Sequence, residues 1–146
     1  ENIDKIVNTL GGQIIDNPQL SSFSIVNITK TNDVNFVIQI PTGITNEKRN
    51  FLVANNLGYL FLRMGYLIRK EVWGEIQVNE PYCSYVEFKD DVSEFTANLL
   101  MPLRFVAKQL RTNSTAHSID VAKIADYFHV SENAIVTRLR QIELQL

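Results

Sequence analysis

A glycine in the middle of an amphipathic helix constrains this 146-residue chain more than any other feature. Ala54, Leu57, Gly58 and Phe61 recur at i, i+3, i+4 and i+7, the buried stripe of a helix over residues 49–69. Glycine there costs about 1 kcal/mol relative to alanine. Its presence predicts a second element packed closely against the helix at that point. Thr45 or Asn46 is the natural N-cap.

The rest of the chain reads as α+β. Ile3, Ile6, Val7 and Leu10 mark a short first helix, closed by Gly11-Gly12. Three apolar, β-branched runs follow at Gln13–Asp16, Phe23–Thr29 and Val34–Ile40. The polar cluster Lys30-Thr31-Asn32-Asp33 reads as a hairpin loop between the last two. Pro41-Thr42-Gly43 ends the sheet and leads into the long helix. Residues 70–90 show no period and read as irregular, with Trp73, Pro81, Tyr82, Cys83 and Tyr85 as packing or contact groups. A helix over Val92–Met101 comes next, and Pro102 suits the first turn of another that runs to about Arg111. Arg104, Lys108 and Arg111 line one face of that helix, as a solvated face would. Thr112–Ser118 read as a linker, and the last segment as helix, turn, helix with Ser131 as a cap.

Two units are expected: residues 1–111, and a helical unit over 112–146 packed on the first. The hydrophobic fraction of 45% is enough for a real core, and the net charge of −2 favours no polyanionic partner. The single Cys83 excludes an internal disulfide and fits a reducing cytoplasm. The most apolar stretch, Leu57 to Ile68, is short and carries Arg63, so no membrane span is expected. The N-terminus is polar and of mixed charge, unlike a signal peptide. The chain begins at Glu1 rather than at a methionine, as a fragment with an upstream domain would.

Three segments, in order, carry a family resemblance. Arg49-Asn50-Phe51-Leu52-Val53-Ala54-Asn55-Asn56-Leu57-Gly58-Tyr59-Leu60 resembles the active-site helix of the ImmA/IrrE zinc metallopeptidases, written R-F-x-x-A-H-E-L-G-H-x-x-L. Asp91-Val92-Ser93-Glu94-Phe95-Thr96-Ala97-Asn98-Leu99-Leu100-Met101-Pro102 resembles the family's E-A-N-x-F-A-A-x-L-L-M-P. Ala125-Asp126-Tyr127-Phe128-His129-Val130-Ser131, followed by Ala134 and Arg138-Leu139, resembles its closing F-x-V-S-x-x-A-v-x-x-R-L. Together they run from about residue 45 to the C-terminus. The resemblance implies a zincin-like core, a small antiparallel-edged β-sheet packed on helices, with a helix-turn-helix-like C-terminal unit.

It also implies that the chemistry has been lost. Two histidines at i and i+4 share a helix face and reach one zinc ion, and the glutamate beside the first is the general base on metal-bound water. Asn55 stands at the first histidine position, Asn56 at the glutamate and Tyr59 at the second histidine. Asp91, counted back from Leu-Leu-Met-Pro, occupies the third ligand position. Aligning Ala97-Asn98 with the family's Ala-Asn instead would break the anchor spacing. An amide is a poor zinc ligand, a phenol must ionise first, and asparagine accepts no proton at neutral pH. No catalytic residue, metal or cofactor is therefore expected. Instead, Asn55, Asn56, Tyr59 and Asp91 are expected to form a polar patch that replaces the metal as a pin between helices.

The resemblance implies a pseudo-metallopeptidase: a protein-binding or sensing module in transcriptional regulation of the phage or mobile-element type, with a repressor or regulator as partner. An equal expectation from the resemblance is the C-terminal sensing or oligomerising part of a repressor with a DNA-binding head upstream of Glu1, in which case DNA is reached only through that head. The competing enzyme reading uses Asp91, Asn55 and carboxylates such as Glu94 as non-standard ligands in a metallopeptidase that cleaves a repressor. Nothing pairs Cys83 with His117 or His129 as nucleophile and base, and the twelve residues between the histidines match no ligand spacing. Residues 118–146 hold three cations against four carboxylates, a weak footprint for a phosphate backbone. The closing unit is expected to pack on the core rather than to bind DNA.

Overall fold

In the computed structural model, which describes residues 2–84 and 91–145, the chain is an α+β fold. Helix α1 spans Ile3–Thr9, followed by strands β1 (Gly12–Asn17), β2 (Val26–Asn32) and β3 (Asn35–Pro41). Helix α2 is Asn46–Leu62, α3 is Lys70–Glu75 and β4 is Pro81–Ser84. Four helices follow: α4 (Asp91–Leu100), α5 (Leu103–Asn113), α6 (Val121–Phe128) and α7 (Glu132–Gln145). Among the described residues no helix is long and apolar enough to cross a membrane.

The sheet order is β1-β3-β2-β4 and the sheet is mixed. The β4 edge is antiparallel to β2, while β1 at the other edge runs parallel to β3. Val26, Ile28, Phe36, Ile38 and Ile40 are buried in one core with Leu52, Val53, Ala54, Leu57 and Leu60 of α2. Alternation puts Ile28 opposite Ile38 on one face, and the helix covers it. Side-chain caps hold the helix starts. Thr45 accepts from the Lys48 N–H at 3.1 Å, Asp120 from Lys123 at 3.2 Å and Ser131 from Ala134 at 3.1 Å. Gly11 takes φ +95°, and an added Cβ would lie 2.4 Å from the Val34 carbonyl oxygen, so only glycine fits this turn.

Two features depart from the expectation. The hairpin loop is shorter than the polar cluster suggests: β2 continues to Asn32 with an irregularity between Lys30 and Asn32, and the turn falls at Asp33-Val34. Lys30 is only 2% exposed. Its ammonium donates to the Trp73 carbonyl at 2.8 Å, lies 4.7 Å from the centre of the Trp73 ring, and reaches Asp33 at 3.7 Å. The indole N–H of Trp73 in turn donates to the Asp33 carbonyl at 2.8 Å. A lysine is tolerated inside because these groups replace its water.

The second departure is in residues 70–84, which hold two regular elements joined by residues 76–80. Helix α3 buries Trp73 against Tyr66, ring centres 4.7 Å apart, and β4 pairs Pro81–Ser84 with Thr29–Val26. Both elements are too short to show a period. Cys83 lies in β4 opposite Asn27, and Tyr85 falls outside the described residues. The Tyr66 hydroxyl lies 2.7 Å from the Leu10 carbonyl and 2.9 Å from the Val34 carbonyl, two acceptors for its single proton, and burial pushes its pKa up. Arg49 donates both its terminal nitrogens to Asp4, at 2.7 and 3.1 Å, tying α2 to α1; that contact raises the guanidinium pKa.

A second core lies beyond α4. Met101, Val106, Ile124, Ala125, Val130 and Ile135 are buried together, so α5 shares its packing with α6 and α7. The sequence pattern places α5 with residues 1–111.

Candidate functional site: the amide face of α2

Helix α4 packs antiparallel on α2, and the pairing is visible residue by residue. Thr96 meets Asn55, Val92 and Phe95 meet Gly58, and Asp91 meets Arg63. A Cβ on Gly58 would sit 3.0 Å from Val92 Cγ1 and 3.2 Å from Phe95 Cδ1, which is the close contact that the mid-helix glycine predicts. Gly58→Ala sets a helix-propensity gain of about 1 kcal/mol against overpacking of about 1–3 kcal/mol. We expect a net loss of about 0–2 kcal/mol in urea denaturation. A stabilised variant would mean that α4 does not seat tightly on Gly58.

Asn55, Asn56 and Tyr59 are each 1% exposed, and each is aimed at a different neighbour. The Asn55 side-chain oxygen faces the Thr96 hydroxyl at 3.4 Å, across to α4, while that hydroxyl gives its one proton to the Val92 carbonyl at 2.8 Å; the Asn55 Nδ2 has no hydrogen-bond partner among the described residues. The Tyr59 ring lies 6.1 Å from that of Tyr82 on β4. Asn56 faces the end of β2. Its oxygen accepts the Asn27 N–H at 3.0 Å, and its Nδ2 donates to the carbonyls of Leu52 at 2.7 Å and Ile25 at 3.2 Å. This one amide completes the backbone hydrogen bonding of β2 where β3 no longer pairs with it.

Asp91 does not join this group. Both its oxygens accept from Arg63, at 2.9 and 2.8 Å, and its side chain is 52% exposed. Five residues of α4 separate it from Thr96, about 7.5 Å of helix rise. The expected four-residue patch is therefore a buried amide face plus a separate ion pair at the end of α2. The antiparallel packing is the reason, since the start of α4 necessarily meets the end of α2.

The donor set does not fit a zinc centre. The Asn56 oxygen is committed to a backbone N–H and the Asp91 carboxylate to a guanidinium, and the Asn55 oxygen faces the Thr96 hydroxyl. Among the described residues no three His, Cys, Asp or Glu side chains gather as a metal site. His117 is exposed, and His129 caps α6 in the left-handed conformation at φ 55°. Desolvation lowers the Arg138 pKa, and the charge of Glu94 partly offsets it.

The surface beside α2 opens at its C-terminal end. An open cleft of about 550 Å³ lies there, lined by Phe61, Leu62, Arg63, Ile68, Arg69 and Asp91. Ile68 is 60% exposed and the adjoining Leu67 72%. Leu67 also takes a positive φ of 60°, uncommon for a leucine. Sequence reasoning missed this cleft, because Arg63 and Asp91 are far apart along the chain.

The fold is thus an α+β domain whose central helix buries Asn55, Asn56 and Tyr59. Comparison with family models, with curated proteins and with solved structures gives no match in any of the three.

Proposed function

We propose that this chain is a catalytically degenerate, ImmA/IrrE-like domain with a zincin-like core, acting as a protein-binding or sensing module in transcriptional regulation of the phage or mobile-element type. The observation that carries this reading is the use of Asn56. At the position of the family's general base stands an amide whose oxygen accepts from Asn27 of β2 and whose nitrogen donates to Ile25, just before β2, and to Leu52 of its own helix. A carboxylate has no hydrogens to donate to Leu52 and Ile25, so the position as built suits a structural amide and opposes a base. The cleft at the end of α2 is the recognition surface in this reading. Its exposed Leu67 and Ile68 offer apolar contact, and Arg63, Arg69 and Asp91 offer polar orientation.

The test combines metal content with partner chemistry. Protein purified without chelator or tag-derived metal should contain far less than one zinc per chain by elemental analysis. Mixed with a phage-type repressor protein, the chain should co-elute in gel filtration and leave the repressor uncut. Stoichiometric zinc or repressor cleavage would return the chain to the peptidases. Failure to co-elute would remove the binding role.

A further inference from the structure

We draw no further inference here: the strongest candidate, the open cleft at the C-terminal end of α2, belongs to the site already described, and nothing in the structure shows what fills it, because Arg63 is paired with Asp91 and Arg69 donates to the Leu62 carbonyl as a cation at a helix C-terminus does.

Discussion

Asn56→Asp is expected to destabilise the fold by about 3–5 kcal/mol at pH 7, the cost of an uncompensated buried charge. The change is isosteric, so packing is untouched and the effect is electrostatic. One carboxylate oxygen keeps the Asn27 N–H. The other is pressed against the carbonyl oxygens of Leu52 and Ile25, where Nδ2 now donates at 2.7 and 3.2 Å. Like partial charges and desolvation both favour the protonated acid, which raises the carboxyl pKa of the folded variant above the unfolded value of about 3.9. A raised folded pKa means that the folded state holds the extra proton. Stability is therefore regained as pH falls through that pKa toward about 4, and the full deficit stands above it. Urea midpoints of parent and variant between about pH 4 and 8 would show the gap closing on the acid side. A gap below about 1 kcal/mol at pH 7 would mean that Asn56 is not the structural amide described here.

Arg138→Ala is the second large expected effect, at about 2–4 kcal/mol. Arg138 is 4% exposed, and its Nε donates to the Met101 carbonyl at 3.1 Å and a terminal nitrogen to the Asn98 side chain at 2.8 Å. It thereby fastens α7 to the junction of α4 and α5, the place where the two cores meet. Removing the guanidinium leaves a carbonyl and an amide oxygen without their donor, and a void where the side chain lay. Desolvation lowers the arginine pKa, but the group stays charged at any pH where the protein is handled. Arg138→Lys keeps the charge without the planar fork and should lose an intermediate amount. Hydrogen exchange would place the effect: amides of α7 should lose protection before those of β2 and β3. Uniform loss across the sheet would mean that Arg138 supports the whole fold rather than one docked unit.

Much of the local structure was legible in the residues. Apolar spacing marked α2 and Gly58 marked its close partner, because a helix period and a missing Cβ are facts about neighbours in the chain. Thr45 and Ser131 were readable as caps, since a cap acts on an N–H three residues away. The α+β class followed from the β-branched runs ahead of the helices. The shorter elements were not legible. Helix α3 and strand β4 span too few residues to show a period, and their stability comes from Trp73 against Tyr66 and from backbone pairing with β2. Lys30 sat in a polar cluster that resembled a loop, and only the ring and carbonyl of Trp73, forty-three residues on, make its burial tolerable.

The candidate site divides the same way. Residue types alone establish that positions 55, 56 and 59 lack imidazole and carboxylate, and their spacing puts them on a helix with a buried stripe. Ligand chemistry depends on side-chain type, so it can be read without coordinates. That Asn56 accepts from Asn27 of β2, that Asn55 turns to Thr96 and that Asp91 goes to Arg63 follow from the packing. It also placed α5 with α6 and α7, bringing the basic stripe into the closing unit. Which groups meet across a fold depends on how helices are packed and in which direction they run, and spacing along one chain does not encode either.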